Sequence, residues 1–416
     1  MTKLSFSYFF LFSLIFIPGY VFGQDITYAK QVLSALCSKE YHGRGYTHKG
    51  VKKTSKFIVS ELKKDGTKKI GKSYFQNFKM PVCVIDNLET VKIDTNILCC
   101  GSDFIIYPGS ASCSGTFTLL KLDKENMKDI FYQKLNETFL VIDTSLTNDK
   151  TLKESLSQFC HQNSLHAKGI ITLVEKNTVQ IQQSEQVNWV NMEIPVSSFP
   201  PNAKQIELNF KSDFIEKYKT RNVVAVIPGE SDSIVVFTAH YDHLGELGTA
   251  FFPGANDNAS GVAMVLDLCK TFSKEKPRYT LVFIFITGEE IGLIGSQWFV
   301  SHPLVLLEKI RFLINLDLLG SGEDGITVVN GSVFTKEFER LKNLNTEKNY
   351  VPVVKTRGAA DNSDHAPFYH AGVKCFFIYA QGKTGPYHNI ADTPQNLSLG
   401  KWEAMVNLII DFVKGL

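Results

Sequence analysis

At 416 residues the chain exceeds one ordinary domain of roughly 100–200 residues. Its 44% hydrophobic and 21% charged residues exclude a largely disordered chain, and Gly 29 with Pro 14 exclude a collagen-like or low-complexity one. The net charge of +2, from 44 basic and 42 acidic residues, gives no electrostatic footprint for nucleic acid.

The N-terminus reads Met1-Thr2-Lys3, then an apolar stretch from Leu4 to Phe22 interrupted by Pro18 and Gly19. One basic residue, an apolar core and the small residues around Val21-Phe22-Gly23 are the layout of a secretory signal. Residues 1–23 are therefore expected to be a signal peptide cleaved before Gln24. The mature protein is then expected outside the cytoplasm, secreted or periplasmic, and not membrane-bound. The rest of the chain has no run of spanning length. Export permits disulfides. Among the eight cysteines, Cys99, Cys100, Cys113 and Cys160 fall in one region and could pair locally, whereas Cys269 reads as a core residue. No C-x-x-C occurs, which argues against a structural zinc site built on thiolates.

Residues 26–62 show helical spacing of Ala29, Val32, Leu33 and Leu36, then of Phe57, Ile58 and Leu62, with His42-Gly43-Arg44-Gly45 between the two helices. Between about Val82 and Phe199 short β-like runs take over, at 117–120, 138–142 and 169–173, with a helix expected over 152–167. After Arg221 the rhythm is strand–helix–strand. Strands are expected at 222–227, 233–238, 280–286, 310–316 and 374–379, and helices at 261–272, 291–300 and 397–413. This alternation predicts an α/β fold, a mainly parallel mixed sheet sandwiched by helices, with a β-rich lobe inserted at 86–205. The catalytic domain is then 24–85 plus 206–416.

Ligands of such sheets bind beyond the carboxyl ends of the strands. The run 233–238 leads into Ala239-His240-Tyr241-Asp242, and Asn256-Asp257-Asn258 opens the following helix. The run 280–286 ends at Thr287-Gly288-Glu289-Glu290, the run 310–316 at Asp317, and Tyr387-His388-Asn389 comes late. Each has an ordinary reading: Asp257 could cap a helix, and Glu289-Glu290 could complement a helix dipole. Together, His240, Asp257, Glu290, Asp317 and His388 converge on one rim. Imidazole and carboxylate without thiolate suit Zn²⁺ and tolerate Mn²⁺ or Co²⁺.

These motifs resemble the co-catalytic di-zinc aminopeptidase family, which includes secreted leucyl-type aminopeptidases, glutamate carboxypeptidase and glutaminyl cyclase. The resemblance rests on Thr238-Ala239-His240-Tyr241-Asp242, Gly254 to Gly261, Gly288-Glu289-Glu290, Asn315-Leu316-Asp317, Ser363-Asp364-His365 and Tyr387-His388 with Asp392-Thr393. It covers residues 25–85 and 205–416. Residues 86–205, with Ala167-Lys168-Gly169-Ile170-Ile171 and Glu193-Ile194-Pro195-Val196, are similar to the protease-associated insert of many members.

The resemblance implies two zinc ions per chain bridged by Asp257. His240 and Asp317 would complete one site, and Glu290 and His388 the other. Glu289 is implied as general base toward a metal-bridged water, Tyr387 as a stabiliser of the tetrahedral intermediate, and Asp242 as the residue orienting His240. The implied activity is hydrolysis of N-terminal residues from a peptide substrate. Asn362 stands where some members carry an arginine, so the means of holding the substrate terminus differs. His243 and His370 match no family role, Asp364 and His365 fit either pocket or structural roles, and Arg44 reads as turn structure or packing. The competing enzyme reading is a glutaminyl cyclase-like aminoacyl transferase with a single zinc. A receptor-like protein on a decayed peptidase scaffold conflicts with the intact ligand set.

Overall fold

The computed structural model describes residues 26–123, 129–144, 149–176 and 179–416. The expected signal segment 1–23 lies outside the described residues. The fold is α/β: one large mixed sheet runs through the molecule, with helices packed on its faces.

At the functional end the strand order is Val354–Thr356, Gly325–Val329, Cys375–Gln381, Ile310–Leu316, Ser231–His240, Tyr279–Ile286, Gln205–Ile227. The three central pairings, Ser231–His240 with each neighbour and Ile310–Leu316 with Cys375–Gln381, are parallel. The strands at 233–238, 280–286 and 310–316 are where the apolar runs put them, because Val235, Val236, Phe237, Leu281 to Ile286 and Leu313 to Leu316 are buried on both faces. That is the pattern of parallel strands covered by helices on each side. Helix Gly261–Phe272 and helix Trp402–Lys414 pack in the main core with Ile26–Leu36 and Gly50–Lys64.

Two long antiparallel strands, Phe75–Ile93 and Gln205–Ile227, continue the sheet out of this half. The far end of Gln205–Ile227 pairs with Cys113–Lys121, which continues into Thr138–Asp143, Gly169–Val174 and Val190–Pro195, a parallel run with its own core of Phe104, Phe139, Val141, Ile171 and Met192. The alternating burial of residues 205–212 shows why the shared strand is amphipathic there and exposed around 214–217.

Several boundaries differ from the sequence expectation. The helix expected over 152–167 is Lys150–Gln162, because Asn163 is left-handed (φ 43°) and its side chain bonds both the N–H and the carbonyl of Ala167, closing the turn. The helix expected from 291 begins at Ile294, after Gly292 and Leu293 with positive φ. The closing helix begins at Trp402 rather than 397, since Leu399 is left-handed. Local disulfide pairing does not occur: all eight cysteines are free thiols. Cys113 packs in the lobe's main core while Cys160 packs separately with Ile142 and Ile170, so their side chains are committed to different clusters. Cys269 is buried in the main core, as expected.

Candidate metal centre

Every candidate ligand lies at the carboxyl rim of the central strands. His240 is the last residue of its strand, and Asp317 directly follows Ile310–Leu316. Glu289 and Glu290 follow Tyr279–Ile286, and His388 lies in the segment after Cys375–Gln381. Asp257 sits in the irregular turn Ala255–Ser260 that opens helix Gly261–Phe272, and its peptide bond to Asn258 is cis. Gly254 precedes that turn with φ 58°; a Cβ there would meet His243 Cδ2 at 2.2 Å and the Asp257 carbonyl at 2.3 Å, so the close approach requires glycine.

The five residues form two groups that share Asp257. Its Oδ1 is 3.2 Å from His240 Nε2, which is 3.4 Å from Asp317 Oδ1. Its Oδ2 is 3.1 Å from His388 Nε2, which is 3.0 Å from Glu290 Oε2. These are the edge lengths of a coordination shell, since ligand bonds of about 2.0–2.2 Å in tetrahedral array place donors about 3.3 Å apart. Asp317 Oδ1 and His388 Nε2 are buried and make no hydrogen bond of acceptable angle. Buried polar atoms normally have partners, so a cation between the groups fits the donors better than hydrogen bonds do. Glu289 lies to one side, its Oε2 4.0 Å from His240 Nε2.

Supporting contacts fix these side chains. His240 Nδ1 is 3.2 Å from the Asp242 carbonyl and 3.9 Å from its carboxylate, which accepts a 2.5 Å hydrogen bond from the Tyr46 hydroxyl. Ser363 donates to Asp317 at 2.8 Å and accepts from Asn315, which in turn accepts from Thr238. Tyr387 stacks on the His388 ring with centroids 3.7 Å apart, and burial together with the carboxylates of Asp257, Glu290, Glu289 and Asp317 raises its hydroxyl well above the ordinary range.

Sequence reasoning missed several contributors. His243 donates through Nδ1 to Glu290 Oε1 at 2.7 Å. Arg44, fully buried, donates to the carbonyls of Pro253 (2.6 Å), Gly254 (2.7 Å) and Asp257 (3.0 Å). Asp392 accepts from the backbone N–H groups of Asn256 and Asp257. From the lobe, Gln180 N donates to the His388 carbonyl at 3.1 Å, and Gln182 donates to that of Leu244. Two of these residues figure in the sequence without this role: Asp392 within the Asp392-Thr393 motif, and Arg44 as turn structure or packing. His365 and His370 stay away from the ligands; His365 is buried against Phe377 and His370 pairs with Asp361 at the surface.

The two adjacent glutamates have opposite electrostatics. Burial, reinforced by Asp364, Glu290 and Asp317, holds the Glu289 carboxyl well above the usual range against the pull of His240. For Glu290 burial is outweighed by His388 and His243, which bring it to about 2. Asp257 is likewise buried, yet His240 and His388 hold it well below its ordinary value. Burial raises Asp364 to about 7, with Ser296 donating to it at 2.6 Å.

Comparison with known proteins agrees with this architecture. The sequence model of peptidase family M28 matches residues 222–413. A probable leucine aminopeptidase of Arthroderma otae is 31% identical over 220 residues, 49% of this chain and 59% of that protein. A vacuolar membrane protease of Candida dubliniensis is 25% identical over 232 residues, 55% of this chain and 24% of that protein. The matches thus span from about a quarter to somewhat over half of these curated relatives. Two solved structures share the fold across nearly the whole chain. The zinc aminopeptidase of Bacillus subtilis has a TM-score of 0.70 at 20% identity, covering 94% of each chain. A peptidase M28 precursor from Shewanella amazonensis has 0.71 at 16%, covering 94% of this chain and 93% of that one. Residues 222–413, which carry the motifs of 238–392, are thus similar to peptidase family M28.

Proposed function

We propose that the protein is a zinc-dependent metallo-aminopeptidase that removes N-terminal residues from peptides. One observation carries the reading: two imidazole–carboxylate groups share Asp257, one oxygen to each, with a further carboxylate, Glu289, beside them. Two divalent ions, one held by His240, Asp257 and Asp317 and the other by His388, Asp257 and Glu290, would offset four clustered carboxylates and supply Lewis acidity toward a scissile carbonyl and toward water. Glu289 accepts the proton of the attacking water and passes it to the leaving amine, the role its position beside the shared carboxylate suits. The Tyr387 hydroxyl donates to the oxygen that becomes negative as the carbonyl turns tetrahedral. Asp242 orients His240, and His243 and Arg44 hold Glu290 and the Asp257 turn in place.

Residues 86–205 are proposed to act as a protease-associated-like lobe beside the cleft, restricting it to short peptides; the contact of Gln180 with His388 supports this. Secretion or periplasmic export is proposed from the N-terminal run 1–23, and the partner is a peptide, with no nucleic acid. Among the described residues no helix is long and apolar enough to cross a membrane. The test is an assay of the purified protein on aminoacyl amides, N-blocked peptides and a peptide with N-terminal glutamine, with and without chelator. Chelator-sensitive release of free N-terminal residues supports the reading. Cyclisation of the glutamine peptide without hydrolysis would assign glutaminyl cyclase-like chemistry instead.

A further inference from the structure

A second cluster of metal-capable side chains lies outside the rim: His42, His48 and Glu246. His42 belongs to the turn Lys39–Arg44, and its backbone is left-handed (φ 47°, ψ 48°), as is that of His48 (φ 50°). Residues with a Cβ adopt this region rarely, and two such residues six positions apart turn one short segment back on itself. That segment is fixed to the loop carrying Glu246. Gly245 N donates to the Gly43 carbonyl and His243 N to that of Arg44, each at 3.1 Å. A Cβ on Gly43 would meet the Gly245 carbonyl oxygen at 2.4 Å, so the two backbones touch.

The result is a convergent donor set. His42 Nδ1 is 3.3 Å from Glu246 Oε1, His48 Nδ1 is 3.2 Å from Glu246 Oε2, and the two rings are 5.1 Å apart between centroids. The nitrogen–oxygen edges match those within the metal centre, 3.0 to 3.4 Å. Both rings present the same nitrogen to one carboxylate. His42 and His48 line an open cleft of about 820 Å³, which gives an ion access from solvent.

We propose that His42, His48 and Glu246 form a separate transition-metal site for Zn²⁺ or a similar borderline ion. Two imidazoles and a carboxylate, with a position open to water, are a donor set that such ions take. The site shares no residue with the Asp257 centre, so either can fail without the other. A bound ion clamps the turn 39–49 to the loop that carries Asp242 and His243, and so couples to the residues orienting His240 and Glu290.

One neighbour opposes the ion. Lys53 Nζ lies 2.9 Å from His42 Nε2 and donates to the Glu40 carbonyl at 3.0 Å. An ammonium donating to Nε2 keeps the imidazole proton on Nδ1, facing Glu246. An ion bound at Nδ1 displaces that proton, and the ring then carries its N–H on Nε2, so Lys53 must swing away. Lys53 therefore competes with the metal, which separates this proposal from a purely hydrogen-bonded cluster.

Equilibrium dialysis of the full-length protein against increasing free Zn²⁺, read by elemental analysis, tests it. The wild type is expected to hold one more ion per chain at saturation than either His48→Ala or Glu246→Gln. Lys53→Met is expected to fill the extra site at severalfold lower free zinc than the wild type. His48 is exposed and Glu246→Gln is isosteric, so neither substitution threatens the fold. Equal ion counts in the wild type and both variants up to millimolar zinc would overturn the proposal.

Discussion

The sheet offers two parallel runs for comparison, and among the described residues only one of them gathers metal-capable side chains at its strand ends. In the functional half, His240, Asp317 and the Glu289–Glu290 pair stand at or just beyond successive strand ends. In the lobe, the parallel strands Cys113–Lys121, Thr138–Asp143, Gly169–Val174 and Val190–Pro195 end at Lys121, Asp143, Val174 and Pro195. There Lys121 pairs with Asp143 at 3.1 Å. Among the described residues, no metal-capable cluster falls within 86–205. Parallel topology supplies a rim, but a rim becomes a site only where polar side chains are buried together and held by others. In the functional half Tyr46, His243, Ser363, Arg44 and Asp392 do that holding.

The contrast can be broken most sharply at Glu289. Glu289→Gln is expected to keep the bound metal and lower the turnover of an aminoacyl amide by about 10²–10⁴-fold. If it also lost an ion, Glu289 would be a ligand and the division of the glutamate pair would be reversed. In the lobe the expected damage is to stability rather than chemistry. Phe139 is fully buried and tilted against Phe117, and Phe139→Ala should cost about 3–5 kcal/mol in denaturant unfolding of the lobe while the metal content is unchanged. Loss of metal in that variant would show that the lobe supports the rim through Gln180.

Smaller effects sharpen the comparison. His243→Ala removes the hydrogen bond that orients Glu290 and is expected to weaken metal affinity by about 10–100-fold, measured by competition with a chromogenic chelator. An unchanged affinity would make His243 a packing residue. Lys121→Ala, at the corresponding place in the lobe, breaks an ion pair in which the lysine side chain is 45% exposed. It should cost no more than about 0.2–1 kcal/mol and leave turnover unaltered.

The elements that were legible in the sequence are those with continuous apolar runs. Phe237, Phe283 and Ile314 lie on strands that needed no tertiary knowledge to find, and the candidate ligands followed as the polar residues at their ends. The shared strand Gln205–Ile227 was harder, because the exposed stretch around Phe214 and Ile215 breaks its alternation and leaves only the segment from Asn222 with a strand signature. Supporting residues were least legible. Arg44 reaches Asp257 across 213 positions and Asp392 across 135, and neither separation leaves a local pattern. His243 is only three residues from His240, yet its partner Glu290 lies on another strand's end, so its role required the fold.

The central claim is that Asp257 joins two metal sites. Elemental analysis of the His48→Ala protein, saturated with zinc and freed of loosely held ion, tests it without interference from the proposed peripheral site. The account predicts two zinc ions per chain, and none at the rim when Asp257→Ala is added. One ion per chain, or two that persist after Asp257→Ala, would contradict it.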